Sequence, residues 1–390
     1  MTRLRWLTAG ESHGPALTVI IEGVPAGLSL SEEQIASELA RRQKGYGRGG
    51  RMKIEQDRAV IEAGVRNGET LGSPITLRIE NRDFANWRGR MGAERFESEP
   101  EPVTLPRPGH ADLAGALKYD RRDARDILER ASARETAART AAGAVAKALL
   151  AQCGIELCSR VRSIAGLRDE RECSVDAVFE QRATIEASSL RVLSSECEAR
   201  MREKILALAH EGDTAGGVVE VLARGVLAGL GSHTQWDRRL DGRIAQAMMS
   251  VQAIKAVEIG DGWAGADRPG SAVHDPIAYD ASTQRFARAT NHAGGIEGGI
   301  SNGEPIVVRA AMKPIATLKS ALPSADLRTK AHAAAAHERS DVCAVPAAAV
   351  VLEAMLALVL ADCVLEKHGA DSMRELVRTV RSWREQLQHY

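Results

Sequence analysis

Three titratable residues in this 390-residue chain stand beside glycine or serine in short polar segments: His13 in GESHG, His110 in RPGHAD and Asp341 in RSDVCAVP. An imidazole titrates near neutrality and can hand a proton to a leaving anion or steady a negative charge, while a loop carboxylate beside an arginine can serve as a base. Any of the three taken alone is more often a structural hydrogen-bonding group, so the case rests on what surrounds them. The densest cationic run is RRQKGYGRGGRMK, residues 41–53, where Arg41, Arg42, Lys44, Arg48, Arg51 and Lys53 occur with no acid between them. Arginine forks pair bidentately with oxyanions, and glycine lets a backbone approach a ligand closely. The run therefore reads as a trap for phosphate or carboxylate, set against the plainer reading of a solvated basic loop. Residues 45–50 also fit G-x-G-x-x-G, but they follow a helical pattern where the dinucleotide fingerprint follows a strand, which sets that reading aside. A second glycine-rich stretch, NHAGGIEGGISNG (291–303), lacks the Lys-Ser ending of a P-loop; it fits a long turn or a backbone surface laid against a flat ring or a phosphate.

The elements that must position these groups are mixed. PALTVIIE (15–22) predicts a strand leaving the GESHG loop, and Ser31 with Gln34 predicts a capped helix that stops near Lys44. Alternation over 58–65 and 74–80 predicts paired antiparallel strands. An alanine-rich pattern over 121–152 predicts a long helix, broken at most once, with Gly154 just past its end. Further strands are expected at 217–230 and 305–311, and helices at 237–253 and 344–367, while 262–276 and 291–304 read as loops. Because strands and helices do not alternate regularly, the expected fold class is α+β, a single large sandwich of antiparallel sheets and helices over residues 1–390.

Composition narrows the function. The 52 basic and 52 acidic residues cancel, so an anion site must be built locally and not from a global field. Aromatics make up only 3% of the chain, which leaves few stacking platforms for bases and disfavours nucleic-acid binding, despite one RGG-like stretch at 48–51. Cys153, Cys158, Cys173, Cys197, Cys343 and Cys363 form no Cys-x-x-Cys pair; they suggest reduced thiols in the cytoplasm, with no disulfide framework and no metal site. The N-terminal residues lack the apolar stretch of a secretory signal. The most apolar region, 344–361, is interrupted by Pro346 and Glu353, and its runs fall short of the roughly 20 residues that span a bilayer. It reads as a core helix, with no membrane partner expected.

Taken in order, GESHG, RRQKGYGRGGRM, RPGHADLAGALKY, ERASARETAART, GGVVEV, GGIEGGISNG, MKPIATL and RSDVCAVP resemble the chorismate synthase family, over about residues 6–370. That resemblance implies a carbon–oxygen lyase that removes phosphate from 5-enolpyruvylshikimate 3-phosphate by anti 1,4-elimination, giving chorismate at the last common step of the shikimate pathway to aromatic amino acids. It also implies reduced FMN, which lends electron density to the substrate and recovers it without net redox change. By motif, His13 would protonate the departing phosphate, His110 would support the anionic reduced flavin, and Asp341 would assist proton removal through flavin N5. FMN would be held by Arg130, Ala131, Ser132, Gln252, Ala253, Gly298, the run Lys313, Pro314, Ile315, Ala316 and Thr317, and Arg339. Arg42 and Arg48 match positions that bind NADPH or the anionic substrate, and Arg107 and Arg134 are further candidates for the substrate's carboxylates and phosphate. Two departures touch side chains only: Ala131 stands where a serine is common, and Ala316 where serine or proline is frequent. The resemblance implies a homotetramer. An NAD(P)H-dependent flavin reductase is the rival reading of the glycine- and arginine-rich loops, and an RNA-binding protein a more distant one.

Overall fold

The alternation in PALTVIIE and PITLRIE does what a period of two requires. In the computed structural model, which describes residues 3–48, 56–171, 173–282, 284–336, 338 and 340–390, strand Ala16–Glu22 pairs antiparallel with Ile75–Glu80. Leu17, Val19 and Ile21 lie opposite Ile79, Leu77 and Ile75, and all six are buried, while Ile20 between them faces outward. Arg5–Ala9 and Ala59–Ala63 complete this four-stranded antiparallel sheet at its two edges. The glycine between the first two strands is obligatory: Gly10 has φ +107°, and a Cβ there would sit 2.3 Å from the Ala16 carbonyl oxygen.

A second antiparallel sheet runs in the spatial order Ile254–Ile259, Ile306–Met312, Gly217–Arg224, Glu156–Ile164, with Leu167–Arg168 at the far edge. Three helices fill the space between the sheets. Thr136–Gln152 packs on the Ala16–Glu22 and Ile75–Glu80 strands and on Val345–His368, which in turn lies on the Glu156–Ile164 and Gly217–Arg224 strands. Glu32–Gln43 packs against both helices. Covered on all sides, Val345–His368 is apolar around its whole circumference, as a core helix must be. It is long and apolar enough to cross a bilayer, but 94% of its most apolar 18-residue window is buried within the protein. The α+β class with antiparallel sheets around helices is therefore as expected.

The helix pair depends on small residues. A Cβ on Gly143 would lie 2.3 Å from Ala354 Cβ and 2.7 Å from its Cα, so the alanine-rich face allows an approach no larger side chain permits. Gly143→Ala is expected to lower stability by about 1–3 kcal/mol through overpacking, seen as a lower Tm in thermal unfolding. An unchanged Tm would mean that the helices separate freely.

Several local expectations are met and others shift. Ser31 caps Glu32–Gln43 in a full capping box with Gln34, and the cap at the other end is Lys44. The predicted helix over 121–152 divides into Arg125–Ala131, a single tight turn at Ala133–Glu135, and Thr136–Gln152. The predicted strand 217–230 ends at Arg224, and the helix expected over 237–253 occupies Leu240–Met249. The stretches read as loops carry a short helix, Gly262–Ala266, and a small hairpin of Ile296–Glu297 with Ile300–Ser301. Strands Glu156–Ile164 and Ile254–Ile259 and helices Ser195–Glu211 and Met373–Gln388 had no counterpart in the sequence reading. The six cysteines are free, and burial pushes the Cys153, Cys158 and Cys343 thiols up to about 11 and Cys363 to about 12, so these four are inert packing groups.

Candidate active site

The basic run begins inside a helix, and its first two arginines point in different directions. Arg41 turns into the core, where its Nη1 and Nη2 donate to Glu353 at 3.0 and 3.1 Å and its Nη2 to Glu186 at 2.6 Å. Glu353 is wholly buried in the Val345–His368 helix and also accepts from Lys147 Nζ at 2.5 Å and Ser159 Oγ at 2.7 Å. Arg42, the next residue, is buried on the other side. Its Nε donates to Thr136 Oγ1 and its Nη2 to the Ala133 carbonyl, both at 3.0 Å, and Nη1 faces Asp57 Oδ2 at 3.4 Å.

Arg134, in the tight turn before the Thr136–Gln152 helix, approaches the same carboxylate. Its Nη1 donates to Asp57 Oδ1 at 2.6 Å, while Nε and Nη2 donate to Asn81 Oδ1 at 3.0 and 2.8 Å. Arg48 Nε lies 3.3 Å from Asp341 Oδ2. Burial lowers the Arg42 guanidinium to about 9; Asp57 opposes that shift, and the nearby Arg134 and Arg48 charges add to it. Among the described residues, three guanidiniums thus lie close to Asp57 and Asp341, and their mutual repulsion is what a bound anion would relieve.

His13 reaches this corner from the GESHG loop. Its Nδ1 lies 3.0 Å from both carboxylate oxygens of Glu129, and its backbone N–H donates to Glu129 Oε2 at 2.8 Å. Burial pushes the Glu129 carboxyl upward, but hydrogen bonds from His13 and Arg125 outweigh it and hold the group below the usual carboxylate range. Ser132 ties the loop to the arginines: its Oγ bonds Ser12 Oγ at 3.2 Å and accepts from the Arg134 N–H at 3.2 Å. Ala131 precedes it at the end of the Arg125–Ala131 helix.

Arg130 donates to the Thr8 carbonyl at 2.9 Å, to Thr8 Oγ1 at 2.7 Å and to the Gly10 carbonyl at 3.2 Å. Thr8 Oγ1 in turn donates to Glu135, which also accepts from Gln252 Nε2 at 3.2 Å. Gln252 Oε1 is buried and has no hydrogen-bond partner. Ala253, beside it, holds a left-handed φ of +67° and accepts the Lys313 N–H at 2.9 Å.

His110 belongs to a second cluster. Its Nδ1 lies 2.5 Å from Asp112 Oδ1, and Arg107 binds the same carboxylate through Nε at 2.8 Å and through its backbone N–H at 3.0 Å. Arg107 Nη1 donates to Thr317 Oγ1 at 2.9 Å, and Lys313 Nζ donates to the Gly109 carbonyl, so the Lys313–Thr317 run is bound to this histidine's loop. Within that run Pro314 and Ala316 flank Ile315, whose carbonyl accepts from Thr214 Oγ1 at 2.8 Å. Burial would raise the Asp112 carboxyl, yet hydrogen bonds from His110 and Arg107 carry it well below the ordinary range.

The structure therefore gathers the candidates into two groups. His13, Arg42, Arg134, Ser132 and Arg130 share one network, to which Arg48 and Asp341 connect by charge, and Gln252 joins through Glu135. His110, Arg107, Lys313 and Thr317 share the other, and the Lys313–Ala253 bond links the two runs. Gly298 is placed differently: its carbonyl accepts from Arg239 at 3.2 Å, and a Cβ on it would meet nothing within 4 Å. Arg339, with Arg51, Lys53 and Gly50, lies outside the described residues. Sequence reasoning missed Asp57, Asn81, Glu129, Asp112 and Glu135. For Asp112 a signal existed, since a carboxylate two residues after a loop histidine can turn back to it; Asp57 offered none. Two surface cavities, about 210 Å³ beside Asp169 and Arg200 and about 420 Å³ beside Arg374 and Arg378, share no residue with this site.

A corner with clustered guanidinium charge suits a substrate that carries several negative groups, and an imidazole at its edge suits the departure of one of them as an anion. The class so defined is a lyase acting on a phosphorylated carboxylic acid. The chorismate synthase family profile matches residues 4–365. The chain is 57% identical to the chorismate synthase of Geobacter sulfurreducens over 99% of this chain and 100% of that one, and 56% identical to that of Aquifex aeolicus over 96% and 95%. A solved chorismate synthase crystal structure superposes with a TM-score of 0.82 at 45% identity, covering 100% of both chains. The chain belongs to the chorismate synthase family. Its activity is the carbon–oxygen lyase reaction that eliminates phosphate from 5-enolpyruvylshikimate 3-phosphate to give chorismate.

Proposed function

We propose that elimination takes place between the two networks, with the substrate's carboxylates and phosphate held by Arg42, Arg48, Arg107 and Arg134. The observation that carries this reading is the convergence of Arg42 and Arg134 on Asp57, with the charge of Arg48 near by, beside a histidine set by a buried glutamate. His13 gives the proton to the departing phosphate from Nε2, because Nδ1 is engaged by Glu129. Asp341, beside Arg48, assists removal of the ring proton. The burial of Arg42 favours substrate over NADPH as its ligand.

The residues present fit reduced FMN. Gln252 Oε1 is a buried acceptor in want of a donor, Ala253 holds a strained left-handed backbone beside it, and Arg130 connects to Gln252 through Thr8 and Glu135. His110, held by Asp112 and Arg107, supplies the positive partner for an electron-rich ring, with Lys313 and Thr317 beside it. When bound, reduced FMN lends electron density to the allylic system and recovers it. Gly298 enters as a backbone contact whose surroundings are open, and NADPH as the source of reducing equivalents.

The chain works as one domain, a reading supported by a main hydrophobic cluster that takes residues from Leu4 to Val380, with two smaller clusters beside it. It works in the cytoplasm, as six free thiols suit, and as a homotetramer, which would cover exposed Leu7, Ile20 and Val60 on the outer face of the first sheet. The test is anaerobic incubation with substrate and chemically reduced FMN, following phosphate release and chorismate absorbance. Release of one phosphate per chorismate is expected. No phosphate release there, together with NADPH consumption in a parallel incubation with oxidised FMN and NADPH, would favour the flavin reductase reading.

A further inference from the structure

We propose that Glu129 and Trp87 form a clamp that fixes the His13 imidazole, acting as positioning residues and not as catalytic ones; this rests on the reading of His13 as the acid. The first jaw is a carboxylate. Glu129 reaches Nδ1 of His13 with both oxygens at 3.0 Å and accepts the His13 backbone N–H at 2.8 Å, while the Ser12 N–H donates to the Glu129 carbonyl at 3.0 Å. Side chain and main chain of one residue thus grip the loop. The Glu129 side chain is only 2% exposed and that of His13 16%, so water competes weakly for these bonds.

The second jaw is an aromatic plane. The Trp87 ring stacks on His13 with centroids 4.0 Å apart and planes 25° from parallel, and its Nε1–H donates to Asp83 Oδ2 at 3.2 Å. Trp87 stands on helix Phe84–Met91, which buries none of its residues, so core packing does not account for its placement. Arg125 closes the device: its guanidinium lies 5.0 Å from the Trp87 ring centre and donates to Glu129 Oε1 at 2.9 Å. The carboxylate fixes which ring nitrogen carries the transferable proton, and the stacked plane fixes the tilt of the ring. After transfer the proton resides on the phosphate oxygen, and the neutral imidazole keeps its Nδ1–H toward Glu129.

The test measures anaerobic phosphate release by Glu129→Gln, Trp87→Leu, His13→Ala and the His13→Ala/Glu129→Gln double variant. Glu129→Gln keeps the shape and removes the charge, and is expected to lower kcat on the order of 10²-fold with KM changed less than about twofold. Trp87→Leu should lower kcat about 10-fold with an unchanged Tm. In the His13→Ala background, Glu129→Gln should cost less than about twofold more, since residues acting as a unit are not additive. An equal loss from Glu129→Gln with and without His13 would mark a structural role and overturn the proposal. If Glu129→Gln does not fold, Trp87→Leu decides: reduced kcat supports the clamp and wild-type kcat removes it. Intact turnover in His13→Ala would instead defeat the reading of His13, a different result from loss in His13→Ala with none in Glu129→Gln.

Discussion

His13→Ala and Asp341→Ala are each expected to lower turnover by on the order of 10²-fold or more, while FMN affinity measured by fluorescence titration stays within about threefold. The separation follows from the contacts. His13 is bound to Glu129 and Asp341 to Arg48, while among the groups assigned to the flavin Gln252 is held by Glu135, Lys313 by Ala253 and Thr317 by Arg107, and Ser132 meets the His13 loop through Ser12. Loss of a proton donor removes assistance to the leaving phosphate without emptying the cofactor site. Wild-type turnover in either variant would take that residue out of the reaction, and a parallel collapse of FMN binding would mean that the two networks are one.

Glu353→Ala is expected to cost about 3 kcal/mol of stability, because it removes the fully buried carboxylate shared by Arg41 and Lys147 and leaves them only the partly exposed Glu38 and, for Arg41, Glu186. Burial opposes ionisation of Glu353, yet Lys147 and Arg41 overcome it and hold the carboxyl well below the ordinary value of 4.5. The sign of the pH dependence follows: a carboxyl whose folded value is depressed gives its full stabilisation above about 4.5 and loses it as pH falls through the folded value. Urea unfolding from pH 7 down to pH 3 should therefore show a steeper acid loss in the native chain than in Glu353→Gln. Parallel curves would mean that the network carries no net ionic stabilisation.

Elements with a strong local period were legible from the sequence. The alternation in Leu17, Val19 and Ile21 and the Ser31–Gln34 capping box gave their elements within a residue or two. Glu156–Ile164 was not legible: Leu157, Cys158, Ser159, Arg160 and Val161 are all buried, with Arg160 neutralised by Glu220 at 2.6 Å, so polar residues stand where a strand pattern would show apolar ones. The same cause hid half of the site. His13, His110 and the basic run were visible as types in glycine-rich surroundings, but Asp57 and Glu129 are acids whose meaning comes only from the arginines and imidazole that folding brings to them. The break of the predicted 121–152 helix at Ser132 is likewise a feature of the site, since the extended backbone there lets Ser132 meet Ser12.

The opposite headings of Arg41 and Arg42 make the end of their helix a shaft with a load at each side. Attempts to harden this protein against heat by exchanging its interior ionic cluster for hydrocarbon would loosen the bearing that holds Arg42 against Thr136 and Asp57. Under the role proposed for Arg42, such variants would gain melting temperature and surrender grip on substrate, so robustness is better sought on the outer faces of the sheets.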